Sequence, residues 1–260
     1  SSLKTILYLN NINIKHIVFI LIIVFFSFDS VNCQINNIGK ENIKVLDYLA
    51  KNEELNKIIS PYRIKIKKLE KKIGFSENSL SVRDGELEST LGNFIADVLL
   101  KESDSIFKKI ISKNIDFCLL NQGGVRSTLN KGIVTQHSLI NILPFENTSV
   151  VVKLSGEKVF ELLNYLNIEN KAHPVSGIKI EFQNQKINKV LIQEKIFEIK
   201  KTYYVLTSNF LQAGGDKMNF FKNPLELHPL NTNIREVLIN HISEIEIVRS
   251  ELDNRIIRTK

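Results

Sequence analysis

Two short apolar runs in this chain each stop abruptly at a pair of glycines. The first, residues 116–120, gives way to Asn121-Gln122-Gly123-Gly124-Val125-Arg126; the second, residues 202–207, leads into Ser208-Asn209-Phe210-Leu211-Gln212-Ala213-Gly214-Gly215-Asp216. Short apolar runs bounded by glycine read as strands. A strand that opens into a glycine loop at its carboxyl end is the expected place for a ligand in a sheet-based fold. Any fold proposed for this chain has to bring strands to both junctions.

The intervening segments alternate between strand and helix periods. Ser89 or Thr90 caps a helix over 91–100, a further helix is expected over about 104–112, and a short one over 136–142. A strand over 149–154 leads into a helix opening at Ser155-Gly156, whose Val159, Leu162, Leu163 and Leu166 form an apolar stripe. Further β-like runs lie at 177–182 and 190–193, with a helix around 234–242 and a terminal strand near 255–259. Upstream, Ser60 and Pro61 read as the start of a helix that Gly74 closes. Tyr62, Ile66, Leu69 and Ile73 would share its buried face, leaving Arg63, Lys65, Lys67, Lys68, Lys71 and Lys72 solvated. No Gly/Ser linker or repeat interrupts the pattern. The expectation is one α+β domain over 35–260, a mixed sheet with packed helices.

Residues 1–34 read as an export signal. Lys4 and Lys15 precede an apolar run over 17–28 that is too short to span a bilayer comfortably. Cleavage after Cys33 leaves Gln34 at the new terminus; lipidation at Cys33 and an uncleaved anchor are the alternatives, and only these would attach the chain to a membrane. The expected location is therefore periplasmic or cell-surface. With Cys33 removed, Cys118 has no partner for an internal disulfide, and its apolar neighbours place it in a buried strand. The formal charge of +7 favours anionic partners only weakly, and no run interleaves basic residues with aromatics, which argues against a nucleic-acid track.

Gly123 and Gly124 lack Cβ atoms, so their backbone N–H groups can approach an anionic oxygen closely, and Arg126 can add a forked contact. Phe145, in the loop after Leu143-Pro144, and Phe210 can sandwich a flat heterocycle, each ring contributing roughly 1–3 kcal/mol by analogy with base stacking. Asp216 can accept hydrogen bonds from a diol such as a ribose. Each feature also has a plain structural reading: turn geometry for the glycines, core filling for two of 15 phenylalanines, an Asx turn for the aspartate.

Four segments taken in order resemble the C-terminal domain of the 5′-nucleotidase family. They are Leu91-Gly92-Asn93-Phe94-Ile95-Ala96-Asp97, Asn121-Gln122-Gly123-Gly124-Val125-Arg126, Ile142-Leu143-Pro144-Phe145-Glu146-Asn147 and Asn209-Phe210-Leu211-Gln212-Ala213-Gly214-Gly215-Asp216. Val151-Val152-Lys153-Leu154-Ser155-Gly156, Pro174-Val175-Ser176-Gly177-Ile178 and Asn254-Arg255-Ile256-Ile257 support the match, which extends from about residue 55. The resemblance implies a nucleotide- or nucleoside-binding face built from Asn121, Gly123, Gly124, Arg126, Phe145, Asn209, Phe210, Gly215 and Asp216. Phe145 and Phe210 would hold the base, Asp216 the ribose hydroxyls, and Asn121 and Arg126 the sugar and phosphate. The chain departs from the family at Gln122, where Gly is usual, and at Leu87, where a substrate-binding Arg is usual.

The family hydrolyses phosphoric monoesters with a two-metal phosphatase domain, which needs clustered His, Asp and Asn ligands. The histidines here, His16, His137, His173, His228 and His241, lie in no such context. The expectation is a substrate-binding domain without metal or catalytic residues of its own. It would act in nucleotide catabolism with a separate metallophosphatase chain carrying two divalent ions. The alternative is an exported nucleotide-binding or interaction protein with no catalytic role.

Overall fold

The structure, a computed structural model, describes residues 53–260; the export segment expected over 1–34, with Cys33, lies outside them. In chain order the first half comprises α1 (Glu53–Leu69), β1 (Lys72–Ser76), α2 (Thr90–Ile111), β2 (Phe117–Leu119), β3 (Gly132–Thr135), α3 (Gln136–Ile142), β4 (Thr148–Ser155) and α4 (Gly156–Glu169). The second half comprises β5 (Val175–Ser176), β6 (Ile178–Gln183), β7 (Lys186–Ile192), β8 (Lys195–Ile196), β9 (Thr202–Ser208), α5 (Asn209–Gln212), β10 (Glu226–Asn233), α6 (Ile234–Ile245), β11 (Ile247–Val248) and β12 (Ile256–Thr259). This is a mixed α+β fold.

A five-stranded sheet in the order β10-β4-β9-β2-β5 forms the centre. Side chains alternate across a strand, so neighbouring residues of one strand enter different cores. Val151, Cys118 and Leu206 pack with Phe94, Ile95, Leu99 and Phe107 of α2 and with Leu238 and Ile242 of α6. Val152, Phe117, Leu119 and Val205 pack on the opposite side with Val159, Leu162, Leu163 and Leu166 of α4. Both faces being covered, the strands read as near-continuous apolar runs rather than as alternating ones. Cys118 is fully buried, and burial pushes its thiol far above its ordinary pKa. Two smaller sheets, β11-β1-β3 and β12-β6-β7-β8, flank the centre.

Helix α2 is capped by Ser89, whose hydroxyl accepts from Gly92 N–H at 3.2 Å. It continues through the polar run Lys101-Glu102-Ser103-Asp104 and absorbs the separate helix expected over 104–112, because Ser103 and Phe107 are both buried beneath it. It ends at Ser112 in the left-handed conformation.

Helix α1 differs more from expectation. It begins at Glu53 with Pro61 inside it, and the Ser60 hydroxyl donates to the Lys57 carbonyl that proline cannot serve. Gly74 is a strand residue of β1, and Tyr62 and Ile66 are 63% and 52% exposed, so the expected buried stripe is not covered within the described residues. Among those residues no helix is long and apolar enough to cross a membrane.

Candidate functional site

Strands β2 and β9 are parallel neighbours, with Phe117 opposite Val205 and Cys118 opposite Leu206, so their carboxyl ends finish at the same edge. Strand β4 runs antiparallel to β9, placing Ser149 opposite Ser208. The loops after β2, after β9 and before β4 therefore converge. These are the segments that carry Asn121 to Arg126, Phe210 to Asp216, and Phe145.

They enclose a cleft of about 260 Å³ lined by Asn121, Gly123, Gly124, Arg126, Phe145, Asn147, Phe210 and Asp216. Phe145 and Phe210 are 51% and 44% exposed, and among the described residues neither ring meets another aromatic ring. Exposed rings flanking a cleft are unusual for core fillers, because their apolar area stays in water until something covers it. In the same lining, Asn121 Nδ2 donates to Asp216 Oδ2 at 2.6 Å. Arg126 Nη1 donates to the Gly123 carbonyl at 3.3 Å, and the other donors of its fork have no hydrogen-bond partner among the described residues.

Two glycines sit close against site side chains. A Cβ on Gly124 would sit 2.9 Å from Asn121 Oδ1, and one on Gly215 would sit 2.4 Å from the Phe210 ring. Gly215 thus lies under the ring of Phe210 rather than in the cleft. Asn209 also stands outside the lining: its Oδ1 accepts from Thr148 N–H at 3.1 Å, tying the Phe210 segment to the start of β4. Asp216 adopts a left-handed φ of 50°, and Lys217 after it one of 62°.

Several supporting residues carried no sequence signal. Arg235, at the start of α6, pairs with Glu146 and donates from Nη1 to the Leu143 carbonyl at 2.9 Å, while Asn233 Nδ2 donates to Glu146 Oε2 at 2.6 Å. Beside Arg235, Glu146 is held below the usual carboxylate range. Ile234 N–H reaches the Asn147 carbonyl at 3.0 Å, so the Phe145 loop is pinned on both flanks. Asn147 lines the cleft itself.

Gln122 and Leu87 are explained by their contacts. Gln122 Nε2 donates to the Val82 carbonyl at 2.9 Å, which ties the first glycine loop to the segment before α2. Leu87 is 4% exposed, packed in the core with Leu119 and Val175, and offers no cationic group. Arg126 is therefore the cation among the cleft-lining residues. Among the described residues no group of three or more His, Cys, Asp or Glu side chains is placed to hold a metal. The described residues do not fit a two-metal centre.

Residues 72–223 match the family described as 5′-nucleotidase, C-terminal domain. The chain belongs to the 5′-nucleotidase C-terminal domain family. It is 30% identical to the trifunctional nucleotide phosphoesterase protein YfkN of Bacillus subtilis (strain 168), over 70% of this chain and 14% of that protein. To protein UshA of Escherichia coli (strain K12) it is 26% identical over 68% of this chain and 32% of the relative. The chain thus spans a third or less of the length of these two relatives. The solved 5′-nucleotidase precursor from Thermus thermophilus superposes with a TM-score of 0.67 at 22% identity, over 77% of this chain and 42% of that one, and shares the fold.

Proposed function

We propose that the cleft binds a nucleotide or nucleoside, with the base between Phe145 and Phe210, the ribose hydroxyls on Asp216, and Asn121 and Arg126 toward the sugar and phosphate. The observation that carries this reading is the pair of exposed phenylalanine rings lining one cleft with the Asn121–Asp216 hydrogen bond. Two stacked faces supply roughly 1–3 kcal/mol each, and hydrogen bonds to a carboxylate about 1.5–3 kcal/mol. With Leu87 buried and aliphatic, the phosphate end relies on Arg126, so adenosine binds nearly as well as AMP.

The domain would span 35–260, follow an export signal, and act at the cell surface or in the periplasm. There it serves as the substrate-binding part of a phosphoric monoester hydrolase in nucleotide catabolism. Hydrolysis is supplied by a separate metallophosphatase chain holding two divalent ions, which would activate the attacking water and stabilise the phosphoryl oxygens. Mixing the two chains with Mn²⁺ and AMP tests this: phosphate release faster than from the metallophosphatase alone supports joint action. Release no faster than that baseline contradicts it and leaves the second reading, an exported nucleoside-binding protein with no catalytic role. The aliphatic Leu87 is the observation that favours this second reading.

A further inference from the structure

Behind the cleft, the two glycine loops rest on two side chains that touch each other. The ladder between β2 and β5 pairs Leu119 with Val175 and is extended by Leu120 N–H donating to the Pro174 carbonyl at 2.9 Å. Two residues further on, where the chain has left the strand for a 3-10 turn, Gln122 N–H is taken by the imidazole of His173, with Nδ1 accepting at 3.2 Å. A backbone N–H can only donate, so Nδ1 carries the lone pair and the ring proton sits on Nε2. His173 is 2% exposed, and its Nε2 has no hydrogen-bond partner among the described residues.

An orphaned buried donor is destabilising, and a purely apolar side chain would fill the space without that cost. The contact at Nδ1 that offsets part of that cost is the bond that fixes Gln122, the residue before Gly123 and Gly124, and the Leu120 backbone is a further polar neighbour of the ring. Its ring also lies 5.8 Å from that of Tyr165, which is wedged on its other flank edge-on to Phe220 at 5.5 Å. The Tyr165 hydroxyl donates to the Asp216 carbonyl at 2.9 Å. Asp216 and Lys217 are consecutive left-handed residues without glycine's freedom, a backbone that persists only where its surroundings over-determine it. The phenol supplies one of those restraints and Asn121 the other.

We infer that His173 and Tyr165 are paired positioning residues that hold the two glycine loops in register for the ligand, His173 through Gln122 N–H and Tyr165 through the Asp216 carbonyl. This rests on the nucleoside-binding reading of the cleft. Without the imidazole acceptor, the first loop keeps its Gln122 side-chain bond to the Val82 carbonyl but loses the backbone anchor next to Asn121, and the Asn121 amide loses its aim at Asp216. Without the phenol, Asp216 relaxes and the same bond is lost from the other side.

The test uses adenosine as probe with His173→Leu, His173→Asn and Tyr165→Phe. Asparagine places Oδ1 where Nδ1 stood and keeps the acceptor; phenylalanine keeps the ring and its packing and removes only the hydroxyl. Adenosine Kd is expected to rise roughly tenfold in His173→Leu and in Tyr165→Phe, and to stay within about twofold of wild type in His173→Asn, as the loss or retention of one hydrogen bond implies. Hydrogen exchange of the Gln122 amide is expected to accelerate in the leucine variant and not in the asparagine variant. Should His173→Leu fail to fold, Tyr165→Phe and His173→Asn still decide the matter. Unchanged Kd in Tyr165→Phe, or a loss in His173→Asn equal to that in His173→Leu, would reduce the pair to packing and overturn the inference. A wild-type chain that binds no adenosine overturns the functional reading and this inference with it. Binding in wild type that is undiminished in the leucine variant overturns the inference alone.

Discussion

Asn121 and Asp216, 95 residues apart in the chain, meet in a 2.6 Å hydrogen bond between Nδ2 and Oδ2 at the edge where two parallel strands end. The bond joins the two glycine loops and orients the carboxylate that faces the cleft. Replacing either partner with alanine leaves the other's group half-satisfied. Asp216→Ala is expected to weaken adenosine binding by about 2–4 kcal/mol, more than one neutral hydrogen bond, because a charged acceptor is lost. A double-mutant cycle with Asn121→Ala should show a coupling of about 0.5–3 kcal/mol in the binding free energy. Additive losses, measured by calorimetry, would show that the two side chains act separately.

Phe145→Ala and Phe210→Ala should each raise the adenosine Kd by about five- to 150-fold, the equivalent of one stacked face. Thermal midpoints should change little, since both rings are largely solvent-exposed. A large drop in midpoint with unchanged Kd would return both rings to a structural role.

Gly215→Ala offers a subtler version of the same test. The added methyl would lie 2.4 Å from the Phe210 ring, and the exposed ring is free to swing away. Binding should weaken about as much as in Phe210→Ala while urea stability stays within about 1 kcal/mol of wild type.

The parts of this site that carry their own chemistry were legible in sequence; the parts that hold them were not. Glycine pairs after strands, a phenylalanine after Leu143-Pro144 and an aspartate after Gly214-Gly215 announce themselves by local pattern. Arg235, Tyr165 and His173 act through contacts set by the sheet order, and nothing local marks them; Asn147 stood in the Phe145 motif without a role of its own and lines the cleft. Strand β10 was invisible for a related reason. Glu226 to Asn233 contains Pro229 and alternates polar with apolar residues only loosely, as an edge strand is free to do. The break expected within α2 arose from its polar middle, whose Ser103 is buried by the packing of the whole helix. At α1 the apolar spacing is helical only through Leu69, since Ile73 and Gly74 belong to strand β1, and periodicity does not say whether a helix face is covered: Tyr62 and Ile66 are exposed.

Burial, and secondarily the charge of Lys171, lowers the pKa of His173 to about 4 against the ordinary 6.5; Asp216 and Glu169 oppose the shift. The folded state therefore holds the ring neutral while the unfolded chain takes up a proton below about pH 6.5. The stability contributed by the neutral ring is present above pH 6.5 and is lost as the pH falls toward 4. Urea denaturation should show a loss of about 2 kcal/mol between pH 7 and pH 5 from this group. Tyr165, pushed up to about 12 chiefly by burial, stays protonated throughout. His173→Asn should flatten the profile by that amount, and an unchanged slope would show that the ring is not held neutral.

Arg255 anchors the end of the chain to α2. It is 7% exposed and donates to both Asp97 oxygens at 2.8 and 3.0 Å, to Asp253 and to the Val175 carbonyl. The buried Glu88 carboxylate, which accepts from Asn93, Asp253 N–H and Asn254 N–H, lies 3.9 Å away. Arg255→Ala should cost about 3–5 kcal/mol of unfolding free energy, because it strips the cation from a partly buried acidic group. Adenosine affinity of the folded fraction should be unchanged; a parallel loss of affinity would link this anchor to the cleft.

The central claim, that two aromatic faces and one carboxylate make this domain a nucleoside-binding module, is tested most directly by calorimetric titration of the chain with adenosine and with AMP, alongside the Phe145→Ala, Phe210→Ala double variant. The account predicts saturable one-to-one binding of both ligands, with Kd values within about tenfold of each other because Arg126 is the cleft's cation. It also predicts the loss of measurable binding in the double variant. Absence of saturable binding in the wild-type chain, or binding that survives removal of both rings, would contradict it.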